Sequence, residues 1–318
     1  MSLAFVFPGQ GSQVPGMGRD LSAAFPIARE TFQEVDDALG QKLSRLIFEG
    51  PAEELTLTAN AQPALMAVST ALTRVLAKEG GFDLGRQVAL VAGHSLGEYS
   101  ALTAAGAFDL ATAARLLRRR GEAMQDAVPP GEGAMAALLG AEAAQALEVC
   151  AAAAEAPDGT REVVELANDN GGGQVVVSGA RAAVERAIEA AKALGIKRAM
   201  LLPVSAPFHC SMMAPAADAM RDALGRAAMQ VPAVPVVANV SAAPVSDPEA
   251  IRDLLVRQVT GTVRWRECVA AMVAAGCTRF VEVGAGRVLT GLMKRNAPEA
   301  QASALGTPAE VEAFLRSL

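Results

Sequence analysis

A serine between two glycines stands where a predicted strand is followed by a helix. Residues 93–97 have the pattern G-x-S-x-G, follow the apolar run at 88–92 and precede a helical pattern. Strand, motif and helix together are typical of a nucleophile elbow, in which the glycines permit a sharp turn that exposes the serine hydroxyl. The sequence therefore predicts Ser95 as a nucleophile; the alternative is a turn in which the serine only caps the helix.

A serine hydroxyl is a weak nucleophile and needs a base. The chain contains only two histidines, His94 and His209. The side chain of His94 diverges from its neighbour on a turn, whereas His209 lies in a proline-containing loop after a predicted strand, where catalytic groups are often presented. We therefore predict His209 as general base and later general acid, and a supporting role for His94 at the elbow. A buried structural His209 is the alternative.

Three consecutive arginines lie on a helix predicted at residues 109–127. Arg118, Arg119 and Arg120 span about 200° of the helical wheel, so at least one is expected to face the protein interior. A buried guanidinium needs an anionic partner. That partner is either a structural carboxylate or a substrate carboxylate bound by two parallel hydrogen bonds, and the sequence leaves both open.

Two glycine-rich loops lack the patterns that bind nucleotides. Residues 9–13 directly follow the first predicted strand, but valine occupies position 14, where a dinucleotide fingerprint requires glycine; residues 284–286 fail in the same way at Leu289. If the first two strands are neighbours, the loop at 9–11 lies beside the elbow, where its N–H groups would form an oxyanion hole. The alternative is a pair of ordinary glycine turns.

The order of the predicted elements indicates an α/β fold with an insertion. Apolar strands alternate with helical patterns, which favours a mostly parallel sheet covered by helices. From residue 129 the order becomes strand, helix, strand, strand, helix, strand, which is that of the ferredoxin-like βαββαβ unit. We therefore expect a large domain at 1–128 and 201–318 and an inserted subdomain at 129–200. The predicted strands are residues 3–7, 88–92, 134–139, 162–167, 174–178, 197–202, 234–239 and 279–283, and the predicted helices are residues 20–40, 61–79, 109–127, 141–154 and 180–194.

Composition narrows the classes of function. The net charge of −6 argues against nonspecific nucleic-acid binding. The four cysteines have no CxxC spacing and give no metal or redox signature, so we predict buried thiols and no metal. The N-terminus has no basic segment, and no uncharged apolar run reaches the ~18 residues that a membrane span needs. We expect a cytoplasmic protein without a membrane anchor.

Motifs spread over the whole chain together carry a resemblance to a known family. They are FPGQGSQ at 7–13, GHSLGE at 93–98, Arg120-Gly121, Phe208-His209, Gln258 seven residues before Trp265, and VGAGRVL at 283–289. In this combination and order the chain resembles the malonyl-CoA:acyl carrier protein transacylases of fatty-acid and polyketide synthesis. The resemblance implies a large α/β-hydrolase-like domain with a ferredoxin-like insertion, and we expect a free-standing enzyme.

The resemblance also implies an acyl-transfer mechanism. Ser95 would accept the malonyl group from malonyl-CoA while His209 relays the proton, and the N–H groups of Gln10 and Leu96 would bind the oxyanion. Arg120 would bind the free malonyl carboxylate. The pantetheine thiol of an acyl carrier protein would then take the acyl group. Coenzyme A enters as a thioester substrate, and no cofactor is implied.

Further positions follow from the resemblance. The main-chain carbonyl of Gln258 would orient the histidine, which removes the need for a triad aspartate. Asn168 occupies the position of an asparagine near the pocket, although Asn170 competes for that role. Phe208 stands where many free-standing bacterial members carry a small residue. A ring there would disfavour a methyl branch, so we predict malonyl over methylmalonyl.

Two rival functions follow from the same motifs. A serine hydrolase, such as a thioesterase or lipase, would share the acyl-enzyme but need an acid between Ser95 and His209. A carboxylate clamp at Arg120 suits a malonyl donor and is out of place in a lipid pocket. The second rival is a non-catalytic scaffold with a vestigial elbow. The candidate acids are Asp109, Asp126, Asp158 and Asp169.

Docking of an acidic carrier protein calls for a basic surface. Either these basic residues form that surface or they are ordinary solvated charges: Lys192, Lys197, Arg198, Lys294 and Arg295.

Overall fold

The computed structural model describes residues 2–204 and 206–318; Met1 and Ser205, which fall within the predicted domain ranges, lie outside the described residues. The strands, in chain order, are β1 (Ser2–Phe7), β2 (Leu90–Gly93), β3 (Gly133–Leu139), β4 (Val164–Asp169), β5 (Gln174–Ala180), β6 (Arg198–Leu201), β7 (Val236–Ala238), β8 (Ala243–Val245), β9 (Cys277–Val283) and β10 (Gln301–Leu305). The helices are α1 (Arg19–Ala24), α2 (Pro26–Leu39), α3 (Leu43–Glu49), α4 (Ala52–Thr56), α5 (Thr58–Gly80), α6 (Leu84–Gln87), α7 (Gly97–Ala104), α8 (Leu110–Asp126), α9 (Ala143–Ala153), α10 (Arg181–Ala193), α11 (Ala214–Arg226), α12 (Pro248–Thr260), α13 (Trp265–Ala274), α14 (Val288–Asn296) and α15 (Pro308–Leu315).

A mostly parallel sheet forms the centre of the protein. Its strand order is β10-β9-β1-β2-β7-β8, and only the β7–β8 pair is antiparallel. β1 and β2 are neighbours in register from Ala4↔Leu90 to Phe7↔Gly93. The near-continuous apolar run of β1 is buried on both faces, as expected of a central parallel strand. The prediction of a mostly parallel sheet is confirmed, and the carboxyl ends of β1 and β2 bring the loop at 9–13 to the elbow.

A second sheet is antiparallel and has its own core. Its order is β4-β5-β3-β6, and the chain passes through β3, α9, β4, β5, α10 and β6 in the predicted sequence of strand and helix. Helices α9 and α10 cover it with small apolar side chains, including Val149 and Val184, which belong to a buried cluster separate from the central one.

Backbone hydrogen bonds tie β4 of the second sheet to the segment between α12 and α13. The N–H of Asp169 donates to the carbonyl of Val263 at 3.0 Å, and the N–H of Val263 donates to Ala167 at 2.9 Å. The carboxylate of Asp169 also pairs with Arg266 at 2.8 Å. The end of β4 therefore lies against the segment before α13, which fixes Asn168 and Asn170 beside the elbow.

Several predicted boundaries need correction. The helix expected at 20–40 is two helices, because Phe25 is extended before Pro26, and a residue that precedes proline is driven out of the helical region. The strand expected at 162–167 is Val164–Asp169, and it includes Asn168, which pairs with Val176 in β5. The helix expected after Asn60 begins earlier, at Thr58.

No helix among residues 2–204 and 206–318 is long and apolar enough to cross a membrane.

Two packed helices carry Arg120 to the site. α5 is buried along most of its length and packs against α8. In α8, Leu110, Ala113, Ala114 and Leu117 are buried at the spacing of one helical face, and Asp109 caps the start by accepting from the N–H of Thr112. Arg120 falls on the same buried face, so the periodicity that packs this helix also turns one arginine inward.

Candidate active site

Ser95 occupies a strained turn between β2 and α7. Its φ is 53°, a region that residues other than glycine seldom adopt. A Cβ at Gly93 would come within 1.8 Å of the carbonyl carbon of Gly97, and a Cβ at Gly97 would come within 2.3 Å of the Phe7 oxygen. Only glycine fits at either position, so the motif's glycines are required by close backbone approach. The strand–turn–helix context predicted from the sequence is present.

His209 lies directly against the serine. Its Nε2 is 2.8 Å from the Oγ of Ser95, and its Nδ1 is 2.8 Å from the main-chain oxygen of Gln258. Because a carbonyl can only accept, Nδ1 carries the proton and Nε2 is left to accept from the serine hydroxyl. Burial, followed by the charge of Arg120, lowers the pKa of His209 to about 3. The imidazole is therefore neutral near pH 7 and arranged as a base.

None of the four candidate acids orients this histidine in the described structure. Asp109 caps α8, and Asp126 is exposed. Asp158 is exposed and accepts from Thr160. Asp169 pairs with an arginine of α13. A Ser–Asp–His triad is therefore not formed.

Arg120 is a buried cation beside the nucleophile. Its side chain is only 1% exposed, and Nη2 lies 3.1 Å from the Oγ of Ser95. Nη2 also donates to the side-chain oxygen of Gln258 at 2.9 Å, and Nη1 donates to that of Gln62 at 2.8 Å. Arg118 is half-buried and Arg119 is exposed. Of the three arginines, the structure brings only Arg120 to the site.

Three polar side chains behind the elbow form one hydrogen-bonded network. Asn239, which follows β7, accepts from the N–H of Ser95 at 2.8 Å and donates to the oxygen of Gly93 at 2.7 Å. Glu98 in the first turn of α7 accepts from the N–H of Asn239 at 2.9 Å and from the amide of Gln258 at 2.8 Å. The amide of Gln258 also donates to the oxygen of Ser95 at 3.0 Å. These contacts hold the turn and the histidine in one unit.

Sequence reasoning assigned no role to Asn239 or Glu98. Asn239 directly follows an apolar strand, and the carboxyl end of a parallel strand is where functional side chains collect. The position of Asn239 after β7 is therefore a sequence feature that indicates a functional residue. Glu98 stands inside the GHSLGE motif, but nothing in the pattern reveals that its carboxylate is buried.

The two predicted oxyanion donors lie at the cavity. Gln10 and Leu96 both line it, and Thr58 donates to the Gln10 side chain at 2.5 Å, which steadies that loop. Among the described residues, neither backbone N–H donates a hydrogen bond within the protein. Leu96 is also the N-cap of α7, where the helix dipole favours negative charge. Both groups are available to an oxyanion.

Hydrogen bonding to His94 distinguishes the roles of Asn168 and Asn170. The Nε2 of His94 is 2.8 Å from the Oδ1 of Asn170, and its ring tilts against that of Trp265 at 5.7 Å. Burial lowers the pKa of His94. Asn168 lines the cavity but does not contact this ring by hydrogen bonding in the described structure. Asn170 is therefore the asparagine that supports the elbow histidine.

The cavity of about 450 Å³ opens between the two sheets. Phe208 lies on its wall and is 8% exposed. Much of the remaining wall is apolar, with the polar groups gathered around Ser95. Within residues 2–204 and 206–318 no cluster of three or more metal-ligating side chains occurs. All four cysteines are buried and unpaired, as predicted.

Comparison with known proteins identifies relatives of this chain. The model of the acyl transferase domain family matches residues 4–310. The chain is 49% identical to the malonyl CoA-acyl carrier protein transacylase of Escherichia coli K12, over 98% of each chain. The acyl-carrier-protein S-malonyltransferase of Bartonella henselae is 55% identical, with a TM-score of 0.95 over 100% of this chain and 99% of that one.

A further solved structure is a malonyl transacylase in complex with a type II polyketide synthase acyl-carrier protein. It is 44% identical to this chain, with a TM-score of 0.94 over 100% of both. A family model that matches nearly the whole chain, together with these relatives, is decisive. The chain belongs to the acyl transferase domain family.

Proposed function

We propose that this protein transfers the malonyl group of malonyl-CoA to the phosphopantetheine thiol of an acyl carrier protein, through malonyl-Ser95, for fatty-acid or polyketide synthesis. The names of its relatives support this function. The observation that carries it is the buried guanidinium of Arg120, 3.1 Å from the Oγ of Ser95. A cation in that position suits a donor with a free carboxylate and gives a simple ester no advantage.

The first half-reaction follows from the hydrogen bonds at the serine. As the Oγ of Ser95 attacks the thioester carbonyl, its proton passes to the Nε2 of His209. The oxyanion is bound by the N–H groups of Gln10 and Leu96. Collapse of the intermediate expels coenzyme A, whose sulfur takes the proton from His209. Arg120 holds the malonyl carboxylate throughout.

Charge at the site also helps the base. Arg120 is the second largest cause of the lowered pKa of His209, after burial. A malonyl carboxylate bound to Arg120 offsets that positive field, so the imidazole becomes a stronger base when the donor is in place. The second half-reaction reverses these steps: the carrier thiol gives its proton to His209, attacks the ester and releases Ser95.

Other residues would position these groups. Gln258 orients the imidazole through its main-chain oxygen, and His94 supports the elbow through its bond to Asn170. Asn168, on the cavity wall, would contact the acyl or pantetheine part of the substrate. Phe208 would narrow the space beside the malonyl α-carbon and so select malonyl over methylmalonyl.

The fold supports a finer division of the chain. We assign residues 1–128 and 201–318 to a large domain related to the α/β hydrolases, and residues 129–200 to a ferredoxin-like insertion. The strand order of the second sheet and its separate core support the insertion. Arg198 and Lys294 are exposed on the two domains, and Arg295 donates to the oxygen of Gly172 at their boundary. These positive charges suit an acidic carrier.

A transfer assay tests the proposed function. Purified protein is mixed with malonyl-CoA and holo acyl carrier protein, and malonyl-carrier is measured at several concentrations of each substrate. We expect parallel double-reciprocal lines, because coenzyme A leaves before the carrier binds. Ser95→Ala should abolish transfer, whereas Ser100→Ala should not, because Ser100 is a buried serine on α7, the helix that follows the elbow, and lies outside the cavity wall. Hydrolysis of malonyl-CoA without malonyl-carrier would contradict the proposal.

A further inference from the structure

The cation at the site is not paired with a carboxylate. Arg120 is 1% exposed, yet no Asp or Glu of the described residues lies within 4.0 Å of its nitrogens. Its hydrogen-bond acceptors are neutral groups of Gln62, Ser95 and Gln258. A buried charge is costly unless another charge balances it. Some nearby anion must therefore offset this guanidinium.

Glu98 provides that anion through an amide. Its side chain is 1% exposed, and its Oε2 accepts from the Nε2 of Gln258 at 2.8 Å. The other end of the same amide, Oε1, accepts from Arg120 at 2.9 Å. The amide dipole thus lies between a carboxylate and a guanidinium, with its oxygen toward the cation and its N–H toward the anion. Glu98 and Arg120 form an ion pair bridged by Gln258.

The surroundings of Glu98 make its proton exchangeable near neutral pH. Arg120 faces it from α8, Tyr99 from its own helix and Cys268 from α13. Burial raises the pKa of Glu98 to about 7, against the opposing effects of its hydrogen bonds and of Arg120. Both protonation states of Glu98 are therefore accessible at the pH where an enzyme of this kind operates.

We propose that Glu98 balances the charge of the acyl site by taking up a proton when a malonyl carboxylate binds Arg120. This inference rests on the proposed function. In the empty site above pH 7, the Arg120 cation is balanced by the Glu98 anion. Formation of malonyl-Ser95 adds a second buried anion, and protonation of Glu98 restores the balance. Protonated Glu98 still accepts from Gln258 and Asn239, so the network keeps its geometry.

The proton on Glu98 comes from outside the acyl-transfer chemistry. Acylation breaks the Ser95 O–H bond and the thioester C–S bond, and it forms the ester C–O bond and the S–H bond of coenzyme A. That reaction takes up and releases no proton. The proton on Glu98 therefore comes from solvent, delivered by the buffer acid, and is returned when the carrier removes the malonyl group.

Stopped-flow mixing with malonyl-CoA in weakly buffered solution, with a pH indicator, measures this uptake. The amount of malonyl-Ser95 is determined in parallel by intact mass. For wild-type protein we expect uptake close to zero at pH 6, where Glu98 is already protonated, rising toward about one proton per acyl group at pH 8. Acetyl-CoA brings no carboxylate, so acetyl-Ser95 should form without uptake.

Two variants complete the test. Glu98→Gln keeps the acceptor oxygen but cannot titrate, so its uptake at pH 8 should be lost. Asp36→Asn neutralises another buried carboxylate, which binds Ser44 far from the cavity, and should leave the uptake unchanged. Equal proton uptake in Glu98→Gln would show that another group, such as His209, takes up the proton, and this result would overturn the inference.

The wild-type measurements decide the matter even if Glu98→Gln does not fold. Acylation by malonyl-CoA without proton uptake at pH 8, or equal uptake with acetyl-CoA, would overturn the inference and leave the proposed function standing. Absence of malonyl-Ser95 would refute both.

Discussion

The guanidinium of Arg120 and the hydroxyl of Ser95 are in direct contact, with 3.1 Å between Nη2 and Oγ. In a malonyl thioester the carboxylate is separated from the attacked carbonyl by a single methylene. A nucleophile and a cation this close can therefore engage the two ends of the same small acyl group. The malonyl carboxylate would replace Oγ as the acceptor of Arg120, which leaves the serine oxygen to the substrate carbonyl and to His209.

Arg120→Ala should reduce malonyl transfer far more than acetyl transfer. A hydrogen bond to a charged group contributes about 1.5–3 kcal/mol, so we expect kcat/KM for malonyl-CoA to fall by about 10- to 100-fold relative to acetyl-CoA. Steady-state kinetics with both donors measure this ratio. Arg119→Ala, an exposed neighbour on the same helix, is the control. Equal losses for the two donors would exclude a carboxylate clamp.

The acid limb of the pH profile should lie well below the usual range of histidine. Burial and the charge of Arg120 lower the pKa of His209 to about 3, so the base remains unprotonated as the pH falls through 6.5. We expect kcat/KM for malonyl-CoA to stay level between pH 5 and 6.5. A limb centred near 6.5 would show an imidazole of ordinary basicity and contradict the effect of burial on His209.

The rate of transfer by His209→Ala should be about 10²–10⁴-fold lower than that of wild type, because the general base is lost.

The same pKa affects the stability of the fold. Because the folded-state pKa of His209 is lowered, the unfolded chain binds a proton below pH 6.5 that the folded protein does not. The stability that neutral His209 permits is present above 6.5 and is lost as the pH falls toward 3. Denaturant unfolding at pH 7 and pH 5 should therefore show a smaller loss in His209→Gln than in wild type. An equal loss of unfolding free energy in the two proteins would contradict the lowered pKa of His209.

Asn239→Leu should destabilise the elbow. Its loss leaves the N–H of Ser95 and the oxygen of Gly93 without partners, and a buried unsatisfied polar group costs about 1–3 kcal/mol. We expect the free energy of unfolding to fall by at least that much for the pair, with a loss of kcat as the strained turn relaxes. Urea denaturation and transfer kinetics test both. A wild-type free energy of unfolding and a wild-type kcat in the variant would show that Asn239 does not stabilise the elbow.

Phe208→Ala should relax selectivity at the α-carbon. The ring lies on the cavity wall, and removing it opens space for a methyl branch. A methyl group in a tight pocket changes discrimination by about 1–3 kcal/mol, so the methylmalonyl to malonyl ratio of kcat/KM should rise by at least about 10-fold. Wild-type protein should prefer malonyl. Equal rates for the two thioesters in wild type would contradict this role for Phe208.

The sequence predicted the parts of the site that have a local signature. The elbow at Ser95 is a contiguous pattern in its strand–helix context, and the scarcity of histidine selected His209. The neighbouring β1 and β2 then brought Gln10 to Leu96, as expected if those strands were adjacent. Helical periodicity required one of three arginines to face inward but did not say which partner it would find.

The remaining parts depend on tertiary packing. The Gln258 carbonyl has no side-chain signature, and only the family resemblance suggested it. Burial of Glu98 and its bridge to Arg120 arise where α7, α8 and α12 meet, which no local pattern encodes. Asn168 and Asn170 have similar sequence contexts, and only the hydrogen bond to His94 separates them. The short helices α3 and α4 were missed because their apolar positions are too few to define a period.

Intact-mass measurement tests the central claim most directly. The protein is incubated with malonyl-CoA, and its mass is recorded before and after addition of holo acyl carrier protein. We predict one malonyl adduct on wild-type protein, none on Ser95→Ala, and its transfer to the carrier on addition. Absence of an adduct, or an adduct lost to water as fast without carrier as with it, would contradict Ser95 as a temporary malonyl carrier between two thiols.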